Sequence, residues 1–392
     1  MLVSTPPSPN PRIIAWARQE AGYDVERVAK RLQLPPAQVR GWESTGKPPT
    51  VRQLMNLAAF LKRPLSLFFQ GEPPRSRPLS AEYRRLPGVE PGSESPEFRL
   101  AVRDMLARRE IVLNLLDELG HELPEFTLRA RLDEEPKIVG ARLRQRIGIT
   151  ADQQMAWRDK WQAWREWRSA IEEIGVLVFM LPGVSLVEAR GLALLRKPLP
   201  VAAVNTKEFA ESRAYTALHE VVHLMLANAD EERPAMNEAR SADEFEQIER
   251  FAEVAASYAL AAEDAFARAV EQAPPTDVQG VRDLALCFKM SPLAAATRLR
   301  ESGFWTWPQY NAWRLSWNQY VGGLPKPKGF ATPVSKAIGR GGRMFAQLVL
   351  EAYDTHRITS VEAARYLNLR TEHFDNLRTR LVQGSIAEMP DE

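Results

Sequence analysis

The sequence contains a single cysteine and lacks any apolar run long enough to cross a membrane. Cys287 stands alone among 392 residues, which excludes a disulfide within the chain and fits a reducing compartment. No apolar stretch approaches the roughly twenty residues of a membrane span, and residues 1–10 are rich in Pro and Ser without an apolar core. The sequence therefore predicts no membrane span and no signal peptide, and we expect a cytoplasmic protein.

Charge is nearly balanced over the whole chain but not along it. The net charge is +2, and 45% hydrophobic with 26% charged residues is typical of a globular protein, here of roughly two to four domains. Residues 1–70 carry ten Lys and Arg against four Asp and Glu, so the remainder is mildly acidic. This asymmetry predicts a module that faces nucleic acid, and the alternative is a charge that serves only solubility.

The basic segment has the punctuation of short helices. Residues 11–70 predict five of them, with Asp24 and Thr50 as N-cap residues and Gly22 at the end of the first. A tight Leu-Pro-Pro turn separates the second helix from the third. Two short helices joined by such a turn form a helix-turn-helix, whose second helix reads the major groove of DNA.

This segment resembles the Xre-type helix-turn-helix family. The resemblance rests on WESTGKPPT, similar to the ending that the family shares, and on the preceding VAKRLQLPPAQVRGW. It implies a DNA-binding domain over residues 1–70, with Gln38 and Arg40 on bases or phosphates and Thr45 and Lys47 near the DNA backbone. Such modules commonly bind paired half-sites, so a homodimer is a candidate assembly. The alternative is a module that binds protein instead of DNA.

The next part of the chain predicts a linker and then helices. Residues 71–97 are rich in Pro, Ser and Gly and predict a linker or strap, whereas residues 98–120 predict an amphipathic helix. One helix from about residue 152 to residue 175 is expected to present four tryptophans on one face: Trp157, Trp161, Trp164 and Trp167. Such a stripe is typical of a core, and the alternative is a platform that stacks nucleic-acid bases.

After Gly175 the pattern changes to that of strands. VLVFML, ALLRK and PVAAVN are short apolar runs bounded by Gly or Pro, and they predict a small three-stranded sheet. A strand at the edge of that sheet can present its backbone to an extended peptide.

The helix expected after these strands contains the most specific motif in the chain. His219-Glu220-Val221-Val222-His223 places two imidazoles four residues apart, on one helix face, where both can bind one metal ion. Glu220 can serve as general base toward a water molecule at that metal. The alternative is a buried helix with two satisfied histidines.

Because no cysteine is near, a zinc ion here needs histidine and carboxylate ligands. The third ligand is expected on the following helix, SADEFEQIERFAEVAASYALAAE, where Glu246, Glu249 and Glu253 lie near one face. The spacing leaves the choice among these three open, and a solvated helix face accounts equally for any single one.

These parts resemble, in chain order, the ImmA/IrrE family of metallopeptidases. The similarity lies in GVLVF, RGLAL, PVAAVN, SRAYTALHEVVHLML and IERFAEVAASYAL, over roughly residues 140–265. The resemblance implies a zincin-like fold in which His219, His223 and Glu249 bind Zn²⁺ and Glu220 is the catalytic base.

The last helix departs from the family pattern. Glu253 and Ala255 stand where the family has Asn and Phe, so Glu246 and Glu253 remain alternatives to Glu249. Family members cut helix-turn-helix repressors, which implies a repressor-like or antitoxin-like protein substrate. Arg213 and Tyr215 precede the motif and are candidate oxyanion donors, although packing is the favoured role.

The remaining chain predicts a helical tail that regulates the protein or docks its substrate. ITSVEAARYLNL has the capping and turn of a helix-turn-helix, and GFATPVSKAIGRGGRMF predicts a solvated loop. Cys287 lies in an apolar run and is expected to be buried as a small hydrophobic residue.

The sequence thus predicts a mainly α fold with a small β-sheet (α+β) and four segments. They are a helix-turn-helix domain (1–70), a linker (71–97), a zincin-like metallopeptidase domain (98–275) and a helical module (276–392). The first functional hypothesis is a zinc endopeptidase with a DNA-binding head that controls genes of stress response, mobile elements or phage defence. The second is a non-catalytic regulator or antitoxin that uses the zincin fold as a sensor or scaffold.

Overall fold

The computed structural model describes residues 8–44, 46–74, 94–229, 242–322 and 331–383. Within these ranges the protein is mainly helical with one three-stranded sheet, so the predicted fold class is confirmed. The chain divides into two compact units, residues 1–107 and residues 108–392. No helix of the described ranges has the length and apolar character needed to cross a membrane.

Short helices around one apolar core form the first unit. They are α1 (Pro11–Glu20), α2 (Val25–Leu32), α3 (Pro36–Trp42), α4 (Val51–Phe60), a 3-10 turn (Leu65–Phe69) and the start of α5 (Pro96–Leu119). The side chains of Asp24 and Thr50 accept hydrogen bonds from the backbone of α2 and α4, so both predicted N-caps are confirmed. The predicted linker lies mostly outside the described residues, and its last two residues begin α5.

An ion pair fixes α1 against the end of α3. Arg18 donates from Nε and Nη2 to the two carboxylate oxygens of Glu43, at 2.6 and 2.8 Å, and from Nη1 to the carbonyl of Tyr23 at 2.6 Å. The hydrogen bond to Glu43 raises the pKa of Arg18 above its ordinary value. Because the pairing is bidentate, it sets the orientation of α3 as well as its distance from α1.

The second unit surrounds a mixed sheet of β1 (Leu177–Leu181), β2 (Gly191–Leu194) and β3 (Val201–Asn205). The strand order is β1-β3-β2, with β3 parallel to β1 and antiparallel to β2, so β2 is an edge strand. The predicted strand ALLRK is wrong over its last three residues. The chain turns after Leu194, because β2 and β3 are antiparallel and need a reversal between them.

Helices make up the rest of the second unit, together with the end of α5 and a 3-10 turn (Thr371–His373). They are α6 (Pro136–Ile147), α7 (Ala151–Ala156), α8 (Lys160–Glu173), α9 (Ala210–Ala229), α10 (Ala242–Leu260), α11 (Glu263–Gln272), α12 (Val278–Cys287), α13 (Pro292–Glu301), α14 (Trp307–Gly322), α15 (Pro333–Asp354), α16 (Ser360–Leu367) and α17 (Phe374–Gln383).

The tryptophan-rich segment is two helices, so the prediction of one helix over 152–175 is wrong. Asp159 separates α7 from α8, because its carboxylate accepts from the backbone N–H groups of Trp161 and Gln162 and caps α8. Trp157 lies in the break and meets Trp167 edge-on at 6.1 Å between ring centroids. Trp164 and Trp167 are buried in the core and Trp157 packs against it, which confirms the core interpretation for these three.

Two expectations for the tail are wrong. The segment predicted as a Gly-rich loop is helical from Pro333, because Thr332 caps α15 and an apolar face of that helix is buried. The helix accommodates its glycines by a kink at Gly342, where φ is 88°. Cys287 is exposed, because the buried face of α12 is formed by other residues, Val281, Leu284 and Ala285.

Direct backbone contact holds α10 against α6. A Cβ atom added to Gly140 of α6 would lie 2.3 Å from the carbonyl oxygen of Ala255 and 2.8 Å from Cβ of Tyr258. The face of α10 in the core is correspondingly small: Ala252, Ala255, Ala256 and Ala259 are fully buried. Small side chains on both helices therefore set the position of α10.

Replacing this glycine tests the packing. We expect Gly140→Ala to destabilise the second unit by about 2 kcal/mol, because the overlap with α10 outweighs the usual gain of about 0.5–1 kcal/mol for Ala over Gly in a helix. Gly41→Ala is the control, since a Cβ there meets nothing within 4 Å. Urea unfolding, monitored by hydrogen–deuterium exchange in α10 and α3, measures both; equal effects would contradict the close approach.

Candidate metal centre

Helix α9 presents two histidines from one face toward a common point. His219 and His223 are four residues apart, and their Nε2 atoms lie 3.0 Å from each other. His223 is buried and His219 is half-buried. The 3.6-residue period of the helix accounts for the shared face, as the sequence predicts.

Helix α10 adds a carboxylate to the pair. Oε2 of Glu249 lies 3.3 Å from Nε2 of His219, and Oε1 lies 3.3 Å from Nε2 of His223. Within the described ranges, these three residues are the single group of three or more His, Cys, Asp or Glu whose ligand atoms all lie within 4.8 Å of one another.

The separations are close to those between the ligand atoms of a tetrahedral metal ion. Ligand atoms at about 2.0–2.1 Å from zinc in a tetrahedron lie about 3.3 Å from each other. Here the two Nε2 atoms lie 3.0 Å apart, and each lies 3.3 Å from a different oxygen of Glu249. Two imidazole nitrogens and one carboxylate also form a donor set that suits zinc and leaves a fourth position open.

Electrostatic interactions within the cluster keep Glu249 ionised. Burial alone would raise the pKa of Glu249, but the hydrogen bonds from His219 and His223 lower that pKa well below its usual range. Burial lowers the pKa of His219, but the hydrogen bond to Glu249 and the charge of Glu220 raise it more. Glu249 is therefore ionised at neutral pH, which is the state in which a carboxylate binds a metal.

The other two candidate ligands on α10 do not join this group. Glu246 is exposed, and Glu253 lies one helical turn beyond Glu249 with its side chain also exposed. Burial raises the pKa of Glu253. The electrostatic interaction with His219 opposes that rise, so the two side chains interact through their charges. Glu253 is thus a neighbour of the cluster rather than a member.

Glu220 is buried between α9 and the edge strand of the sheet. Its side chain is 8% exposed, and a Cβ atom added to Gly191 of β2 would lie 2.3 Å from its Oε1 and 2.9 Å from its Cδ. The carboxylate therefore packs directly against the backbone of β2. Its charge acts on His219 and raises the pKa of that imidazole.

Asn205 fixes the backbone that contacts Glu220. Its buried side chain donates from Nδ2 to the carbonyls of Ala189 and Val184, at 2.7 and 3.3 Å. Its backbone N–H donates to the carbonyl of Arg190 at 2.8 Å, next to Gly191. Sequence reasoning missed both Gly191 and Asn205 as positioning residues, although a glycine that opens one strand and an asparagine that closes another were visible signals.

The two candidate oxyanion donors make structural contacts instead. Arg213 donates from Nε and Nη2 to the carbonyls of Glu208 and Thr206, both at 3.1 Å, and its guanidinium lies over the ring of Trp161. Tyr215 donates from its hydroxyl to the carbonyl of Glu253 at 3.3 Å, and its ring stacks on His219. The favoured packing role is consistent with these contacts.

The predicted DNA-contacting residues lie on and after α3. Gln38 and Lys47 are exposed, and Thr45 lies outside the described residues. Arg40 is exposed and forms an ion pair with Glu26 of α2 at 2.8 Å. Val39 and Trp42 face the core, so α3 offers its outer face to solvent.

Comparison with known proteins identifies the N-terminal module. A family model described as a helix-turn-helix matches residues 14–68, which run from within α1 to within the 3-10 turn. The match supports a DNA-binding regulator and does not extend to His219, His223 and Glu249. No curated protein matches the chain.

The choice of the third ligand can be measured directly. We expect His223→Ala and Glu249→Ala to lower the affinity for Zn²⁺ by more than about 100-fold, since loss of a group that merely orients a ligand costs about 10- to 100-fold. Glu246→Ala is the matched control and should bind zinc like the parent. Competition with a chromophoric chelator gives each affinity, and loss of binding in the Glu246 variant would argue against the cluster.

Proposed function

We propose that the protein is a zinc-dependent endopeptidase with a DNA-binding head. The observation that supports this most directly is the meeting of His219, His223 and Glu249, with the carboxylate of Glu220 buried beside them. Metal-assisted hydrolysis uses such residues: two histidines and a glutamate as zinc ligands, and a further carboxylate for proton transfer.

The residues of this chain divide the reaction among them. A bound Zn²⁺ would polarise a water molecule and the scissile carbonyl. Glu220 takes up the proton of the attacking water and delivers it to the leaving amine, which is general base and then general acid catalysis. The contact with Gly191 limits the positions open to this carboxylate, so that its distance to the substrate is set by the sheet.

The edge strand offers a place for the substrate. Within the described residues β2 pairs with β3 alone, and its first residue contacts Glu220. An extended peptide that pairs with the other edge of β2 would bring its own backbone close to the base. Such pairing recognises backbone rather than sequence, so selectivity has to come from other surfaces.

The resemblance to the ImmA/IrrE family suggests a repressor-like or antitoxin-like substrate. A DNA-binding head on the same chain fits that class, because it would concentrate the peptidase where such proteins act. Cleavage of the substrate would then change gene expression in a stress response or in the control of mobile elements and phage.

One observation favours the second candidate, a regulator that senses metal without turnover. Nδ1 of His219 is buried and has no hydrogen-bond partner among the described residues. A catalytic zinc histidine usually donates this N–H to a partner that orients the ring. A site without that support would bind metal less tightly and would suit a sensor or scaffold.

Removal of the base separates the two candidates. We expect Glu220→Gln to bind zinc and DNA like the parent but to lower peptide hydrolysis by about 100-fold or more, because proton transfer contributes about 10²–10⁴-fold. Glu246→Gln is the control for charge. The measurement is the appearance of new protein N termini when each variant is added to an extract of cells that lack this chain. Equal cleavage by Glu220→Gln, or none by the parent loaded with zinc, would favour the sensor.

The DNA-binding head makes a second prediction. We expect Gln38→Ala and Arg40→Ala to weaken binding to a selected duplex by about 1–3 kcal/mol each. We expect Lys47→Ala to lower the slope of log affinity against log salt concentration by about 1, for one lost phosphate contact. Arg12→Ala, exposed at the start of α1, is the control. Fluorescence anisotropy over a series of salt concentrations measures both quantities, and unchanged affinities would indicate a module that binds protein.

A further inference from the structure

The tail repeats the backbone design of the N-terminal helix-turn-helix. In both places an eight-residue helix ends at a non-glycine residue in the left-handed region, Gln33 after α2 (φ 57°, ψ 46°) and Asn368 after α16 (φ 48°, ψ 46°). A leucine follows each of them, and its N–H donates to a carbonyl five residues earlier, at 2.9 Å for Leu34 and 3.0 Å for Leu369. The two turns are therefore alike residue by residue.

The helices on either side of the turns also correspond. Asp24 caps α2 and Thr359 caps α16, and each side chain accepts from the N–H three residues later. The second helical segments are anchored by buried residues three positions apart, Val39 and Trp42 in the head and Phe374 and Leu377 in the tail. A constant offset of 335 residues relates all these positions.

Helices α12 and α13 have the same turn between them, but this turn alone does not make a DNA-binding unit. Lys289 ends α12 with φ 52°, and Met290 makes the same hydrogen bond at 3.0 Å. Helix α13, however, is buried along most of its length, at Ala294, Ala295, Ala296, Arg298 and Leu299. It cannot enter a groove of DNA. Helix α17 buries little beyond its anchors, so Asp375, Asn376 and Thr379 are exposed.

The charge around α17 is compatible with DNA. Residues 331–383 carry eight Lys and Arg against five Asp and Glu. Arg378 pairs with Asp354 at 2.5 Å and with Asp375 at 2.7 Å, which neutralises acids that would repel phosphate. Arg365 and Arg370 are exposed at the end of α16 and at the turn before α17, where phosphate contacts are made in a helix-turn-helix.

We propose that α16 and α17 form a second helix-turn-helix that contacts duplex DNA. Helix α17 faces the major groove, and Arg365 and Arg370 bind phosphates. The positions of Gln38 and Arg40 are held here by His373 and Asp375, so the two modules read different sequences. The chain would thereby carry two modules that each contact DNA. This proposal is independent of the metal centre.

The test compares two double variants of the full-length protein on a duplex selected from a random library by the parent. We expect Arg365→Ala with Arg370→Ala to weaken binding about tenfold and to lower the slope of log affinity against log salt by about 1.8, for two phosphate contacts. Arg131→Ala with Arg158→Ala is the control, because these arginines are exposed elsewhere in the same unit and carry the same charge. Circular dichroism establishes that both variants are folded.

A second variant tests the reading of bases. We expect Asn376→Ala to change the sequence that emerges from the same selection, because Asn376 lies on the exposed face of α17. An unchanged affinity, salt slope and selected sequence would overturn the proposal. A variant that keeps DNA binding but shifts the sedimentation coefficient would overturn it in favour of a protein-docking surface.

Discussion

The contact between α6 and α10 is the constraint on which the cluster of His219, His223 and Glu249 depends. Both histidines belong to α9, and their separation is a property of one helix. Glu249 belongs to α10, so its 3.3 Å approach to each histidine exists only while α10 keeps its place. Gly140 and the alanines of α10 fix that place by leaving no space for a shift inward. A ligand set assembled from two helices is thus as rigid as the packing behind it.

The sheet positions Glu220 as α6 positions Glu249. Glu220 meets the backbone of Gly191, and Asn205 holds the segment that leads to Gly191 through three hydrogen bonds. The edge strand that would receive a substrate therefore also restrains the group that would transfer its proton. This coupling is useful for a peptidase, because substrate backbone and base are positioned by the same strand.

The same turn between two helices recurs in the described residues, in different packing environments. The turn after α2, the turn after α12 and the turn after α16 share a left-handed residue and the same hydrogen bond. What separates them is the burial of the second helix, which is complete enough in α13 to make it part of the core. In α3 the outer face stays in solvent, and that module is the one matched by a helix-turn-helix family model. Exposure rather than the turn decides which unit can bind DNA.

Local rules in the sequence were enough for the fold class, for the N-caps at Asp24 and Thr50, and for the shared face of His219 and His223, because each depends on residues close in the chain. They could not choose among Glu246, Glu249 and Glu253, since the helical period puts all three near one face. The helix break at Asp159 was missed because the capping residue stands within an apolar pattern that continues on both sides of it. The exposure of Cys287 was missed because burial depends on neighbours far along the chain. The sequence by itself determined features that depend on neighbours in the chain, such as the N-caps and the helix face shared by His219 and His223. Only the tertiary structure decided which carboxylate meets the histidines and which strand meets Glu220, because both depend on packing between segments distant in sequence.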